Sequence, residues 1–256
     1  RVQNFELDNV YINKCNNHGI KFQGAWDGNV RNLNILYCGN ETNGNYALYF
    51  TDVPGIANCN AIKFINSRFE ICPCMIYSDF SEQIVFTNCK FEKGSENNSD
   101  TYRPFLFKGT NKGFNFCNCI ITNNIWNFSG IIDEEKYLIL ANITNMINND
   151  NYFVVFIGCH FYVSPSQTSC VFKGNQTQFI DCDFDKCEGT NYPFHFTGNC
   201  KILNCNISVI NGNKTIYFSN GKNFANIYVN IDGEHTEIMF LISKNTNGRF
   251  TSKMLI

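Results

Sequence analysis

Three carboxylates, Asp52, Asp79 and Glu82, fall at the turns that follow neighbouring strand-like segments. Hydrolysis of a glycosidic bond requires two carboxyl groups about 5 to 9.5 Å apart, one as acid and the other as base or nucleophile, and they need not be close in sequence. Asp27 joins the set because it follows Trp26 in G-A-W-D-G, and an indole can stack on a sugar ring. Glu70 and Glu92, at equivalent places in successive repeats, form a second pair. Taken singly, each acid is more simply a solvated turn residue, and Asp133-Glu134-Glu135 reads as a solvent-facing loop tip. The scaffold that places these residues has to decide between the two readings.

That scaffold is written in a six-residue pattern, apolar-x-(Asn/Asp/Gly)-(Cys or apolar)-x-apolar. It starts at Val2, Val30, Phe64, Phe86, Phe116, Phe156, Phe179, Ile202 and Phe224, with separations of 28, 34, 22, 30, 40, 23, 23 and 22 residues. A minimum period of 22 to 23 that is lengthened but never shortened marks a solenoid. Positions 1, 4 and 6 are apolar, which is strand alternation with one extra residue at position 3. Asn, Asp and Gly tolerate a left-handed backbone, so the chain is expected to bend there.

A second strand follows each hexapeptide, as in G-I-K-F from Gly19, A-L-Y-F from Ala47, M-I-Y-S from Met75, F-L-F-K-G from Phe105 and F-H-F-T-G from Phe194. Alternation turns Lys21, Tyr49, Tyr77, Leu106, Val171, His195, Tyr217 and Met239 outward, with a row of Gln23, Thr51, Asp79, Lys108, Lys173, Thr197 and Ser219 beyond them. The interior of such a coil is filled, so function belongs to its outside. Candidate ligand-binding residues are therefore Trp26, Asp27, Tyr49, Tyr77, Lys108, His195 and Tyr217. Trp126 joins them from one of three insertions, 93–104, 122–136 and 142–152, any of which could wall a groove.

The 14 cysteines suggest at first a disulfide framework. Cys89, Cys119, Cys159, Cys182 and Cys205, however, all take position 4 of the hexapeptide, where in-register side chains point the same way. A buried stack of thiols is expected in preference to bridges. The pairs Cys72/Cys74 and Cys117/Cys119 have no second ligand pair at a zinc-like spacing, and no metal or other cofactor is expected. Seven N-x-S/T sequons among 41 Asn exceed chance only slightly, and Asn206 falls within a strand.

The rung period, the Asn-bearing tight turn and stretches such as N-A-I-K-F-I-N-S-R-F-E, Asn60 to Glu70, resemble the pectin-lyase-like superfamily, which includes pectate lyases and bacteriophage tailspikes. The resemblance implies an all-β fold: a right-handed single-stranded parallel β-helix of about nine rungs, with three short strands per rung. Residues 1–256 are read as one such domain, already inside a rung at its first residue and so a piece of a longer chain. Pectate lyases hold calcium with clustered acids on the outer face, which this chain lacks, so a glycoside hydrolase of the tailspike type stands ahead of a calcium lyase. Tailspikes are homotrimers, and the resemblance implies the same here.

With a net charge of −2 and 16% charged residues, no nucleic-acid footprint is present, and no 18-residue apolar run marks a membrane span. Two functions are compatible with these features. One is a carbohydrate-directed receptor-binding or polysaccharide-depolymerising spike at a virion or other extracellular surface. The other is a non-enzymatic structural or adhesive surface protein of a low-GC microbe or protist.

Overall fold

The computed structural model describes residues 2–40, 44–79, 81–93, 105–109, 112–123, 139–143, 154–163, 170–188, 194–210, 216–219, 223–231, 234–244 and 250–255. Among these there is no helix. The strands stack as three faces of a parallel β-helix. The first face holds β1 (Val2–Asp8), β4 (Ala25–Arg31), β7 (Cys59–Ile65), β10 (Ser81–Thr87), β13 (Lys112–Cys117) and β16 (Val154–Ile157). The second holds β2 (Tyr11–Asn13), β5 (Asn34–Leu36), β8 (Arg68–Glu70), β11 (Lys90–Lys93), β14 (Ile120–Asn123), β17 (His160–Val163) and β19 (Asp183–Glu188). The third holds β3 (Ile20–Gln23), β6 (Leu48–Thr51), β9 (Ile76–Ser78), β12 (Phe105–Gly109) and β15 (Ile139–Ile143). Beyond these, β18 (Cys170–Ile180) and β20 (Phe194–Ile210) run through corners and each serve more than one face, and β21 (Ile216–Ser219) extends the third.

The corner between the first and second faces is where position 3 falls. Asn32, Asn66, Asn88, Asn118, Asp181 and Asn204 have φ of 50 to 52°, and Gly158 has 59°. The bend survives because the backbone ladder continues around it: Asn66 N–H donates to the Thr87 carbonyl at 3.0 Å, and Lys90 N–H donates to the Ser67 carbonyl at 2.9 Å. Among the described rungs the corner N–H groups of Asn9, Asn32, Asn66, Asn88, Asn118, Gly158 and Asp181 each donate to the next rung, and the left-handed residue costs about 1–2 kcal/mol, least for Asn and Gly.

Behind the bend stand the thiols. Cys89, Cys119, Cys159, Cys182 and Cys205 are free and buried. Each donates to the carbonyl two residues back, as Cys182 does to Ile180 at 3.2 Å. Four of them also reach the rung below, as Cys159 does to the Phe116 carbonyl at 3.2 Å. Ser67 holds the same place with a hydroxyl, donating to Ile65 at 3.1 Å. Hydrogen bonding between neighbouring thiols, then burial, holds Cys89, Cys159 and Cys205 well above the ordinary thiol range. A second thiol column, Cys15, Cys38 and Cys72, follows the left-handed residues Lys14, Tyr37 and Ile71 at the far end of the second face. Burial pushes Cys38 up to about 11 and Cys72 up to about 12.

The core is a run of stacked rings. Phe64, Phe86, Phe116, Phe156 and Phe179 lie face to face at 4.7, 4.9, 4.6 and 5.2 Å, and Phe69 stacks on Phe91 at 4.9 Å. Each such pair adds about 0.5–1.5 kcal/mol to the burial of its rings.

Four expectations need correction. Val30 pairs with Leu7, not Val2, so the first in-register hexapeptide is L-D-N-V-Y-I from Leu7, with Asn9 at φ 56°, and Val2 is 55% exposed. β15 is a strand within the stretch between the hexapeptides at Phe116 and Phe156; it pairs Leu140 with Leu106 and Lys173, so the outward row slips by two residues beyond it. Leu106, expected outside, is buried. The coil also gives way to antiparallel pairing: β22 (Asn223–Ile231) pairs with β20 on one side and antiparallel with β23 (Glu234–Lys244), which pairs with β24 (Phe250–Leu255). Met239, on β23, therefore leaves the outward row. The insertions 93–104, 122–136 and 142–152 lie outside the described residues except where their first residues close β11, β14 and β15.

Candidate functional site

The third face turns into the first at a corner where several candidates meet. On the third face Lys21, Tyr49 and Tyr77 are register neighbours, with Gln23 and Thr51 paired beyond them. On the first face Gln3, Trp26, Asn60, Glu82 and Lys112 form one register row near the strand starts. The next residue in five rungs, Asn4, Asp27, Ala61, Gln83 or Gly113, has φ of 52 to 73°. This second left-handed column turns the strand just after the row. Four of its five members are not glycine, so it is strained backbone repeated rung by rung.

Asp79 follows β9 and is half-buried. Its carboxyl is held above the usual carboxylate range by burial first and by the charge of Asp52 second, while Thr51 and the Tyr77 hydroxyl pull the other way by hydrogen bonding. The Tyr77 hydroxyl lies 3.5 Å from Asp79 Oδ2, at the long limit of a hydrogen bond. Asp79 Oδ1 is buried and has no hydrogen-bond partner among the described residues, and the same holds for Asn60 Oδ1. Burial and then Asp79 push the Tyr49 and Tyr77 hydroxyls up. Burial raises the Cys59 thiol, which donates to the Phe22 and Thr51 carbonyls at 3.3 Å, and the charge of Asp79 reaches it as well.

The aromatic row is closed to flat stacking. Tyr49 lies between His18, with ring centroids 4.1 Å apart, and Tyr77, 4.5 Å away and nearly parallel at 7°. Tyr46 meets Tyr77 at 5.4 Å, and Lys21 Nζ lies 5.8 Å from the centre of the Tyr49 ring. Tyr49 therefore offers its hydroxyl rim rather than a free face. His18 Nδ1 accepts from the Tyr46 N–H at 3.0 Å, and burial, then Lys21, lowers its pKa.

The structure thus brings Asp52, Asp79, Tyr49 and Tyr77 together, with Trp26 and Glu82 on the adjoining row. Trp26 is in strand β4 rather than a turn, its Nε1–H donating to the Asn58 carbonyl at 2.6 Å. Asp27 occupies the second left-handed column, is exposed, and accepts from Gln3 Nε2 at 3.4 Å. Lys108 follows Phe107, the register partner of Ser78, which places its backbone one rung beyond Asp79. His195 and Tyr217 are paired with each other, but β20 lies four strand spacings from β9, about 19 Å away. Trp126 lies outside the described residues. Glu70 and Glu92 clasp Lys90 at 2.9 and 2.6 Å, and Glu70 also takes Arg68 at 2.7 Å. Burial opposes ionisation of Glu70, but Lys90 and Arg68 outweigh it and leave Glu70 below its ordinary range, committed to an ion-pair ladder. Among the described residues no three His, Cys, Asp or Glu side chains gather as a metal set.

Sequence reasoning had Thr51 in a row but not in the site, and it passed over Asn60, Cys59 and His18. Asn60 carried no signal, because Asn is the commonest bend residue in the chain. The V-P-G-I turn at 53–56, which lengthens the connection from β6 to β7, was a readable one.

No known family's profile matches the chain. It is similar to Depolymerase 1, capsule KN3-specific, of Klebsiella phage KN3-1, with 25% identity over 217 residues, 82% of this chain and 26% of that protein. The chain thus spans about a quarter of that protein's length. Among solved structures it is similar to ORF18 of Geobacillus virus E2, with TM-score 0.48 and 16% identity over 94% of this chain and 41% of that one. It is also similar to PfbA, a surface adhesin of Streptococcus pneumoniae, with TM-score 0.45 and 13% identity over 98% and 68% of the respective chains.

A carboxyl whose pKa is raised on folding favours the protonated folded state. The stability it lends is complete below the ordinary carboxylate pKa and is lost as pH rises through the raised value. Asp79→Asn removes that loss, so thermal melts should show the variant more stable than the parent at pH 7 and equal to it near about pH 3. Equal melting temperatures at both pH values would mean that Asp79 titrates as an ordinary surface acid.

Proposed function

We propose that this chain is the carbohydrate-directed β-helix of a spike or depolymerase at a virion or other extracellular surface, and that it hydrolyses a capsular polysaccharide at the corner between the third and first faces. One observation carries the reading: Asp79 is half-buried beside Asp52, with Thr51 and the Tyr77 hydroxyl on it, and burial first and Asp52 second raise its pKa, so two neighbouring carboxyls sit in different environments. Asp79 gives its proton to the glycosidic oxygen, and Asp52 acts as base or nucleophile on the opposite side of the sugar. Glu82, on the row with Asn60, is the third carboxyl and orients the sugar or the water. The hydroxyls of Tyr49, Tyr77 and Thr51 and the amide of Asn60 bind sugar hydroxyls, and Trp26 borders the site. The likeness to a phage capsule depolymerase supports the substrate class.

The homotrimer implied by the resemblance belongs with this reading. Ile65, Thr87, Cys117, Ile157, Ile180 and Leu203 are register neighbours along the outside of the first face, uncharged over about 24 Å. A row of that kind suits contact with another subunit.

Release of reducing ends from purified bacterial capsular polysaccharides, KN3 among them, tests the chemistry. Asp79→Asn and Asp52→Asn should each lower the rate by about 10²–10⁴-fold. The parent's activity should also fall as pH rises through the Asp79 pKa, since the acid must carry its proton. Full activity in a variant with Asp52, Asp79 and Glu82 all neutralised removes the assignment. Light scattering reads the assembly: Ile157→Asp should lower the mass in solution, and a monomeric parent excludes the trimer.

A further inference from the structure

The connection from β6 to β7 is built unlike its neighbours. β3 reaches β4 across Gly24 alone, and two residues separate β9 from β10, whereas 52–58 stand between β6 and β7. Ile56 N–H donates to the Val53 carbonyl at 2.9 Å with Gly55 at φ 71°, the geometry of a type II turn with Pro54 and Gly55 in its central places. Val53 N–H donates to the Ala57 carbonyl at 2.7 Å and Ala57 N–H returns to Val53 at 3.2 Å, which stiffens the stem. The root is pinned from the rung below. Trp26 holds the Asn58 carbonyl at 2.6 Å, and Gly24, at φ 55°, lets the backbone pass where any Cβ would come within 2.9 Å of Val53 Cγ2.

The result is a stiff finger that begins at Asp52 and ends on Ile56, which is 69% exposed, more than any other large hydrophobic residue described. Turn tips ordinarily carry polar residues or glycine. Ile56 contributes little to the core, and its stem is closed by two backbone hydrogen bonds between Val53 and Ala57. A branched aliphatic tip can neither stack flat on a pyranose nor satisfy a hydroxyl. Its complement is a small apolar projection, and in a polysaccharide that is a methyl group.

We propose that the finger 53–57 sets the specificity of this site, with Ile56 receiving a methyl carried by the sugar beside the scissile bond, either in an acetyl substituent or as the C6 methyl of a 6-deoxyhexose. The inference rests on the carbohydrate reading above and names the kind of repeat unit it takes.

Affinity electrophoresis of the Asp79→Asn chain, which binds without cutting, tests it in gels containing purified capsular polysaccharides with and without acetyl or 6-deoxy units. The polysaccharides retained should all bear such a methyl. Ile56→Asp, at an exposed position where the fold can be checked by its melting curve, should weaken retention about four- to tenfold, the size expected for one buried methyl. Mild alkaline removal of O-acetyl groups identifies the source: weakened retention assigns the O-acetyl methyl, and unchanged retention assigns an N-acetyl or 6-deoxy methyl. Unchanged retention by Ile56→Asp, or equal retention of polysaccharides lacking both groups, overturns the finger's role while leaving the carbohydrate site standing. Retention of no polysaccharide at all overturns both.

Discussion

Parallel stacking at a single repeat of about 4.8 Å governs this molecule. Whatever side chain points inward on one rung lies directly over its equivalent on the next, so the interior can hold only residues that stack on themselves. Phenylalanine does so through its faces, as the run from Phe64 to Phe179 shows. Cysteine does so at the corner, where a small thiol fits behind a left-handed residue and its S–H finds carbonyls on its own rung and the one below. The thiols thereby become structural, tied to the backbone of two rungs.

The same rule shapes the outside. Register neighbours on a face lie close enough to interact, so Tyr49 and Tyr77 stack ring on ring, and Glu70 and Glu92 share Lys90 in an ion-pair ladder. Chemistry needs a break in that regularity. At the corner between the third and first faces the connections differ in length from rung to rung, and Asp52 lies near enough to raise the pKa of Asp79. The left-handed residues Asp27, Ala61 and Gln83 and the unpartnered oxygens of Asn60 and Asp79 lie at the same corner, so strain and unmet hydrogen bonding concentrate there among the described residues.

Much of this was legible in the hexapeptides. Phe64, Phe86 and Phe116 recur at position 1 and Cys89, Cys119 and Cys159 at position 4, so their burial and the all-β coil followed from spacing alone. The first register failed for a specific reason. V-Q-N-F-E-L and L-D-N-V-Y-I both fit the pattern, and the earlier one contains Asn4, a left-handed residue of the other bend column. β15 was hidden because I-L-A-N-I carries no hexapeptide and no turn signal. The acids Asp52 and Asp79 could be placed on adjacent rungs from sequence, but their coupling through a half-buried corner could not, since it depends on how Thr51 and Tyr77 meet Asp79 in three dimensions. The closure of the Tyr49 ring faces was likewise out of reach, because His18 belongs to no repeat pattern.

The central claim is that partial burial beside Asp52 raises the pKa of Asp79. Titrating the Asp79 side-chain carboxyl by 13C NMR, in the parent and in Asp52→Asn, measures this without any substrate. The account predicts a pKa above the ordinary carboxylate value in the parent, moving back toward that value when Asp52 is neutralised. An ordinary titration of Asp79, or a raised one that Asp52→Asn leaves unchanged, would contradict it.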